Sequence, residues 1–207
     1  MIVTSWIRLL GSVQHDCTKS ELNPFLHNIF MNSIQVSGKR VGIVGLGRIG
    51  MAVAKRAEAF GCTISYQGRS LKPSVPYRYY PNVRDMAADS DVLIISCPLT
   101  QETEGIINRE VLDALGPSGF LVNIARGSIV NEAELVKALV EGRLAGAGLD
   151  VYENEPHVPM DLVSLDNVVL APHIGTSTWE TERAMAALVL ANLKAHFAGR
   201  PLITPVF

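Results

Sequence analysis

The segment spanning residues 40–60 constrains this chain more than any other. Arg40-Val41-Gly42-Ile43-Val44 is a short β-branched run that passes without a gap into Gly45-Leu46-Gly47-Arg48-Ile49-Gly50. Met51 to Phe60 follows with an Ala-rich, helical composition. Glycines punctuate any loop, so G-x-G-x-x-G alone carries little weight; between a strand and a helix it has the context its mechanism requires. Gly45 there permits the tight turn, Gly47 lets backbone approach a pyrophosphate, and Gly50 lets helix and strand pack closely. Phosphates would rest on the free N–H groups and positive dipole end of a helix starting near Ile49. A dinucleotide site is expected, the alternative being a plain strand–helix turn.

The rest of the block repeats the alternation. Further strands are expected at Cys62–Tyr66, Asp91–Ser96, Phe120–Ile124, Ala147–Val151 and Asn167–Ala171, with helical stretches at Val83–Ala88, Ile107–Leu115, Asn131–Glu141 and Thr178–Ala198. Near-continuous apolar strands alternating with helices imply an α/β fold, a doubly wound, mostly parallel sheet covered on both faces. With the glycine loop this is a Rossmann-type dinucleotide-binding domain. Residues 1–37 show no sustained period and are expected to be irregular or disordered. A signal peptide is disfavoured there, and a single arginine, Arg8, supports a transit peptide poorly.

Composition removes several functions. Of 207 residues 48% are hydrophobic and only 18% charged, so the chain buries enough apolar surface to escape disorder. A net charge of −2 offers no basic field for nucleic acid or an anionic membrane. Cys17, Cys62 and Cys97 are too few and scattered for a disulfide framework or a four-ligand zinc site, and suit a reducing compartment such as the cytoplasm. His15, His27 and His196 share no metal-ligand spacing, so no metal is expected. No apolar run is long enough to span a bilayer.

The end of the second strand selects the dinucleotide. An NAD site wants an Asp or Glu about 20 residues past the loop, on the ribose 2′-hydroxyl. Here the sequence reads Gln67-Gly68-Arg69-Ser70. Arg69 can pair with a 2′-phosphate through a charge-assisted fork, with Ser70 as a second donor. NADP(H) is therefore expected, with NAD(H) as the alternative if Arg69 is only a solvated loop residue.

Three polar residues follow consecutive strands: Arg126 the fourth, Glu155 the fifth, His173 the sixth. Ligands of open α/β sheets bind beyond the carboxyl ends of the strands, so all three could converge on one crevice. Arginine can anchor a carboxylate and polarise a carbonyl. Histidine can supply a proton as hydride arrives, and a nearby Glu keeps it charged. Singly each has a bland alternative: a buried turn histidine, a solvated loop acid, an arginine at a helix start. Cys97 lacks a neighbouring histidine or second cysteine, so a nucleophilic role is disfavoured; His157 reads as a solvated loop residue.

The glycine loop, Asp91–Pro98 with Leu99-Thr100 and Thr103, Asn123–Gly127, Gly148-Leu149-Asp150-Val151 with Glu155-Pro156, and Pro172-His173 together resemble the D-isomer-specific 2-hydroxyacid dehydrogenases. Arg69-Ser70 and the tail Leu202-Ile203-Thr204-Pro205-Val206 are most similar to the glyoxylate/hydroxypyruvate and hydroxyphenylpyruvate reductase branch. The resemblance implies Arg126 as substrate-binding arginine, His173 as proton donor and Glu155 as its partner. It implies Asp150 as the holder of the nicotinamide carboxamide. Gly45, Leu46, Gly47, Arg48, Ile49 and Gly50, with Arg69, Ser70, Cys97, Ile124 and Ala125, would line the cofactor. A homodimer through the cofactor domain is implied as well.

On that reading residues 1–37 are an unmatched segment, 38–177 the NAD(P)-binding domain, and 178–207 a C-terminal helix and tail that in the family returns to a smaller substrate-binding lobe. That second domain is largely missing here, and a truncated or alternatively started product is expected. Two functions stand open: NADP(H)-dependent reduction of a small 2-keto acid to the D-2-hydroxy acid, and non-catalytic dinucleotide binding of the corepressor kind.

Overall fold

The computed structural model of the protein describes residues 35–205. The segment 1–37, expected to be irregular, lies outside the described residues apart from its last three, as do Cys17, His15 and His27. Seven parallel strands form one sheet in the order β3-β2-β1-β4-β5-β6-β7. They are β1 (Arg40–Val44), β2 (Thr63–Gln67), β3 (Arg78–Tyr80), β4 (Val92–Ile95), β5 (Phe120–Asn123), β6 (Gly146–Leu149) and β7 (Val168–Leu170). The helices are α1 (Arg48–Glu58), α2 (Val83–Ala88), α3 (Arg109–Leu115), α4 (Glu132–Val140), α5 (Met160–Val163) and α6 (Trp179–Phe197).

Sequence explains most of these boundaries. Asn82, Asn108 and Asn131 each lend a side-chain oxygen to a free amide at the start of α2, α3 and α4, and Thr178 does so for α6. Such a cap contributes roughly 1 kcal/mol. α3 ends on Gly116, whose φ of +78° a side chain would disfavour. Two elements escaped the sequence reading. β3 is a three-residue edge strand pairing only with β2, and α5 is a single turn; both are too short to show a period.

Alternation in the central strands builds a core on each face. Leu93 and Ile95 of β4 join Val111, Leu112, Leu135 and Leu139 on one side. Val92 and Ile94 join Val41, Ile43, Val53 and Ala54 of β1 and α1 on the other. The start of the sheet is pinned by Asp91, which accepts the Arg40 amide at 2.8 Å and its guanidinium at 2.7 Å. α6 stands apart: only Ala195 of its residues is buried, while Trp179 and Phe197 are 77% and 83% exposed. No helix among the described residues is long and apolar enough to cross a membrane.

Strand order reverses between β1 and β4. β2 lies on one side of β1 and β4 on the other, and the crevice beyond that switch point is where open sheets take ligands.

Candidate functional site

At the switch point the chain leaves β1 through Gly45, held at φ +92°. A Cβ on Gly45 would sit 2.5 Å from the Cys97 Cα, and one on Gly50 would sit 2.2 Å from the Gly45 carbonyl oxygen. Ser96 closes the joint, its hydroxyl donating to the Gly45 carbonyl at 2.8 Å. Gly47 differs: a Cβ there would meet nothing within 4 Å. It is also the residue that caps α1, so no side chain occupies the helix amides, and no acid lies in the first turn. An open approach, unclaimed amides and a positive dipole end fit the diphosphate of a dinucleotide.

Other expected cofactor residues border this loop. Arg48 and Ile49 open α1 and are exposed, whereas Leu46 is buried. Arg69 and Ser70 are exposed just past β2, and Cys97 is buried just past β4. Burial pushes the Cys97 thiol up to about 11, which leaves it protonated and makes it a wall rather than a nucleophile. Lys72, unnoticed in the sequence, reaches the loop as well, its ammonium 2.6 Å from the Leu46 carbonyl oxygen.

The second half of the site follows β5, β6 and β7. Asn123 is buried and braces the turn after β5: its oxygen accepts the Ala125 amide at 3.0 Å and its amide donates to the Arg126 carbonyl at 2.9 Å. Ala125 is buried, Ile124 half-buried and Arg126 exposed. The Arg126 guanidinium donates to the Ala125 carbonyl at 2.5 Å. Gly127, next in the chain, lies against the backbone of Tyr152 and Glu153. That contact brings the arginine turn against the loop carrying Glu155.

Glu155 spends both oxygens on the site. One accepts the Tyr152 amide at 3.1 Å; the other pairs with His173 Nδ1 at 2.9 Å. The hydrogen bond to His173 is the main cause holding the Glu155 carboxyl below its ordinary range; the Tyr152 amide and the Arg126 charge add to it. With Nδ1 bound to a carboxylate, Nε2 is left for a substrate. Glu132, at the start of α4, receives the Glu153 amide at 3.2 Å and steadies the same loop.

His173 itself sits at φ +55°, a left-handed backbone that costs a side-chain-bearing residue energy. Asp150 sustains it. Its two oxygens accept the Ile174 and Gly175 amides at 2.8 and 2.9 Å, and the residue is buried. The expected carboxamide holder is thus also the brace of the histidine turn. Tyr152 adds a staple, its hydroxyl donating to the Ala171 carbonyl at 3.0 Å. His157 is exposed, and no metal-binding cluster occurs among the described residues.

Fold and site together define a Rossmann-type dinucleotide-binding domain with an Arg–Glu–His group at its strand ends. The D-isomer specific 2-hydroxyacid dehydrogenase NAD-binding domain matches over residues 1–175, a span beginning ahead of the glycine loop. The chain belongs to that family. It is 63% identical over 177 residues to hydroxyphenylpyruvate reductase of Plectranthus scutellarioides, and 59% to glyoxylate/hydroxypyruvate reductase A of Arabidopsis thaliana. Each match covers 86% of this chain but 56% of the relative, so the chain spans little more than half their length. Among solved structures it resembles the NADPH-dependent glyoxylate/hydroxypyruvate reductase of Sinorhizobium meliloti in complex with NADP and malonate. The TM-score is 0.84 at 40% identity, covering 99% of this chain and 65% of that one.

Proposed function

We propose that the chain is the cofactor-binding part of an NADP(H)-dependent reductase that converts small 2-keto acids, of the glyoxylate and hydroxypyruvate type, to D-2-hydroxy acids. The observation that carries this reading is the His173–Glu155 pair, 2.9 Å apart, at the strand ends that also bear Arg126. The names of the relatives agree with it. The missing carboxylate after β2, with Arg69 and Ser70 in its place, supports NADP(H) over NAD(H).

Each residue has a task. The Arg126 guanidinium offers a planar fork to the substrate carboxylate and withdraws electron density from the adjoining carbonyl. His173 Nε2 carries a proton toward the carbonyl oxygen and delivers it as negative charge develops there. Glu155, ionised because its partners favour the anion, keeps the ring oriented and stabilises the imidazolium. Asp150 fixes the turn from which the ring projects. A reduced nicotinamide, when bound, would supply the hydride. In the reverse direction Nε2 accepts the hydroxyl proton. The free thiols Cys62 and Cys97 suit a reducing cytoplasm, and the family resemblance supports a homodimer through the cofactor domain.

The test is steady-state oxidation of NADPH with hydroxypyruvate and with glyoxylate. Turnover that falls about 100-fold or more in His173→Ala supports the reading. Tight NADPH binding with no turnover above the His173→Ala background overturns it in favour of a non-catalytic binder.

A further inference from the structure

The loop between β6 and α5 carries Glu155, and carboxylates hold it both from within and from outside. Its Tyr152 and Glu153 amides donate to carboxylates rather than carbonyls, Tyr152 to Glu155 at 3.1 Å and Glu153 to Glu132 at 3.2 Å. Glu132 opens α4, 21 residues away in sequence. The short segment leading to it from Arg126 also contains Gly127, whose position abuts the Tyr152 carbonyl and the Glu153 nitrogen. Glu132 therefore holds by a hydrogen bond the same peptide that Gly127 holds by contact. One stretch of chain bears the substrate arginine and grips the loop of the acid. The other tasks open to an acid at this helix start fall to its neighbours. Asn131 caps α4 by accepting the Glu134 amide, and Glu134 takes the Lys137 ammonium at 2.7 Å. Glu132 is half-buried and has no salt-bridge partner among the described residues. Burial raises its carboxyl above the ordinary range; the Glu153 amide opposes this and the Glu153 charge adds to it.

We propose that Glu132 is a positioning residue for the reaction, fixing the Tyr152–Glu153 peptide so that the Glu155 carboxylate meets His173 Nδ1. This rests on the reductase reading and deepens it. Glu155 hangs from that peptide through the Tyr152 amide and ends in the 2.9 Å bond to His173. A charge-assisted bond of that length weakens steeply once misaligned. The Glu155 carboxyl faces His173 and Arg126, whereas Glu132 faces Glu153 and the Tyr152 phenol. The Glu132 charge thus has no cation to serve. What the site takes from it is an acceptor oxygen at the reach of a glutamate side chain.

The competing role is a favourable charge at the positive end of α4. Two substitutions separate reach from charge: Glu132→Gln keeps the acceptor and loses the charge, and Glu132→Asp keeps the charge and falls short of the Glu153 amide. The experiment is a pH titration of the His173 ring by NMR in the full chain, the signal identified by its loss in His173→Ala. Wild type, Glu155→Gln, Glu132→Gln and Glu132→Asp are compared, each with its melting curve. Glu155→Gln should move the His173 midpoint to lower pH, because the imidazolium loses its carboxylate. Glu132→Asp should move it the same way by at least about half as much, and Glu132→Gln should leave it in place. Turnover of hydroxypyruvate should fall about tenfold in Glu132→Asp and recover in Glu132→Gln, with NADPH affinity within about twofold in both. An unmoved midpoint in Glu132→Asp overturns the proposal, as does a midpoint in Glu132→Gln displaced as far as in Glu132→Asp. Glu132→Asp protein melting more than about 4 °C below wild type makes the residue structural and also overturns it. A wild-type chain without turnover overturns the reductase reading, and the ring titration still decides whether Glu132 sets the Glu155–His173 pair.

Discussion

Gly127 is where the catalytic half of the site is most exposed to a minimal change. A Cβ there would lie 1.8 Å from the carbonyl carbon of Tyr152, 2.0 Å from its oxygen and 2.3 Å from the Glu153 nitrogen. Non-bonded carbons need about 3.5 Å, so the arginine turn and the Glu155 loop must part by about 1.7 Å. No rotamer can relieve this, because both sides are backbone. Overpacking costs typically 1–3 kcal/mol, and the backbone contact places Gly127→Ala near about 3. For a chain of this size that lowers the melting temperature by roughly 6–12 °C. The parting also draws Arg126 away from Glu155 and His173, and a displacement of about 1 Å can cost 100-fold in rate. The glycine loop stands on other strands, so NADPH affinity should fall by less than turnover does. Thermal denaturation, NADPH titration and turnover are the assays. A Gly127→Ala protein melting within about 2 °C of wild type would refute the close approach and the reasoning built on it.

Two further outcomes concern the fold around the site. The Asp91 carboxyl lies below its ordinary range chiefly through its hydrogen bond from Arg40, so its stabilisation is present above that range and is lost as pH falls through the folded value. With the arginine half exposed, Asp91→Asn should cost about 1 kcal/mol at neutral pH and flatten the acid limb of a denaturation profile; an unchanged acid limb contradicts the pairing. Cys97, pushed up to about 11 by burial, should resist alkylation at mildly alkaline pH until the protein unfolds, as peptide mapping after timed labelling would show. Rapid labelling of Cys97 in folded protein would contradict its place in the wall.

What the sequence made legible had a local cause. β1, the glycine loop and α1 are contiguous, and each glycine's demand is visible in the order of residues. Arg126, Glu155 and His173 were legible because each lies in the loop that leaves an apolar strand, and topology brings strand ends together. What stayed hidden depends on distance in the chain. Lys72 acts on Leu46, and Asp150 acts on amides beyond His173. Gly127 matters only because Tyr152 packs against it, and Asn123 looks like the polar end of any strand until its amide closes the arginine turn. The left-handed backbone at His173 has no signature at all, since glycine or asparagine would be the usual sign.

Gly47 offers the sharpest trial of whether backbone amides at the start of α1 hold a diphosphate. The space before it is open to 4 Å, and its φ of −80° and ψ of −159° suit alanine, so Gly47→Ala should melt within about 1 kcal/mol of wild type. The added methyl would nevertheless stand where the phosphates approach. Titration of NADPH into the two proteins should therefore give at least a tenfold weaker affinity for Gly47→Ala, with wild-type binding intact. Equal affinity in both would mean that the dinucleotide lies elsewhere.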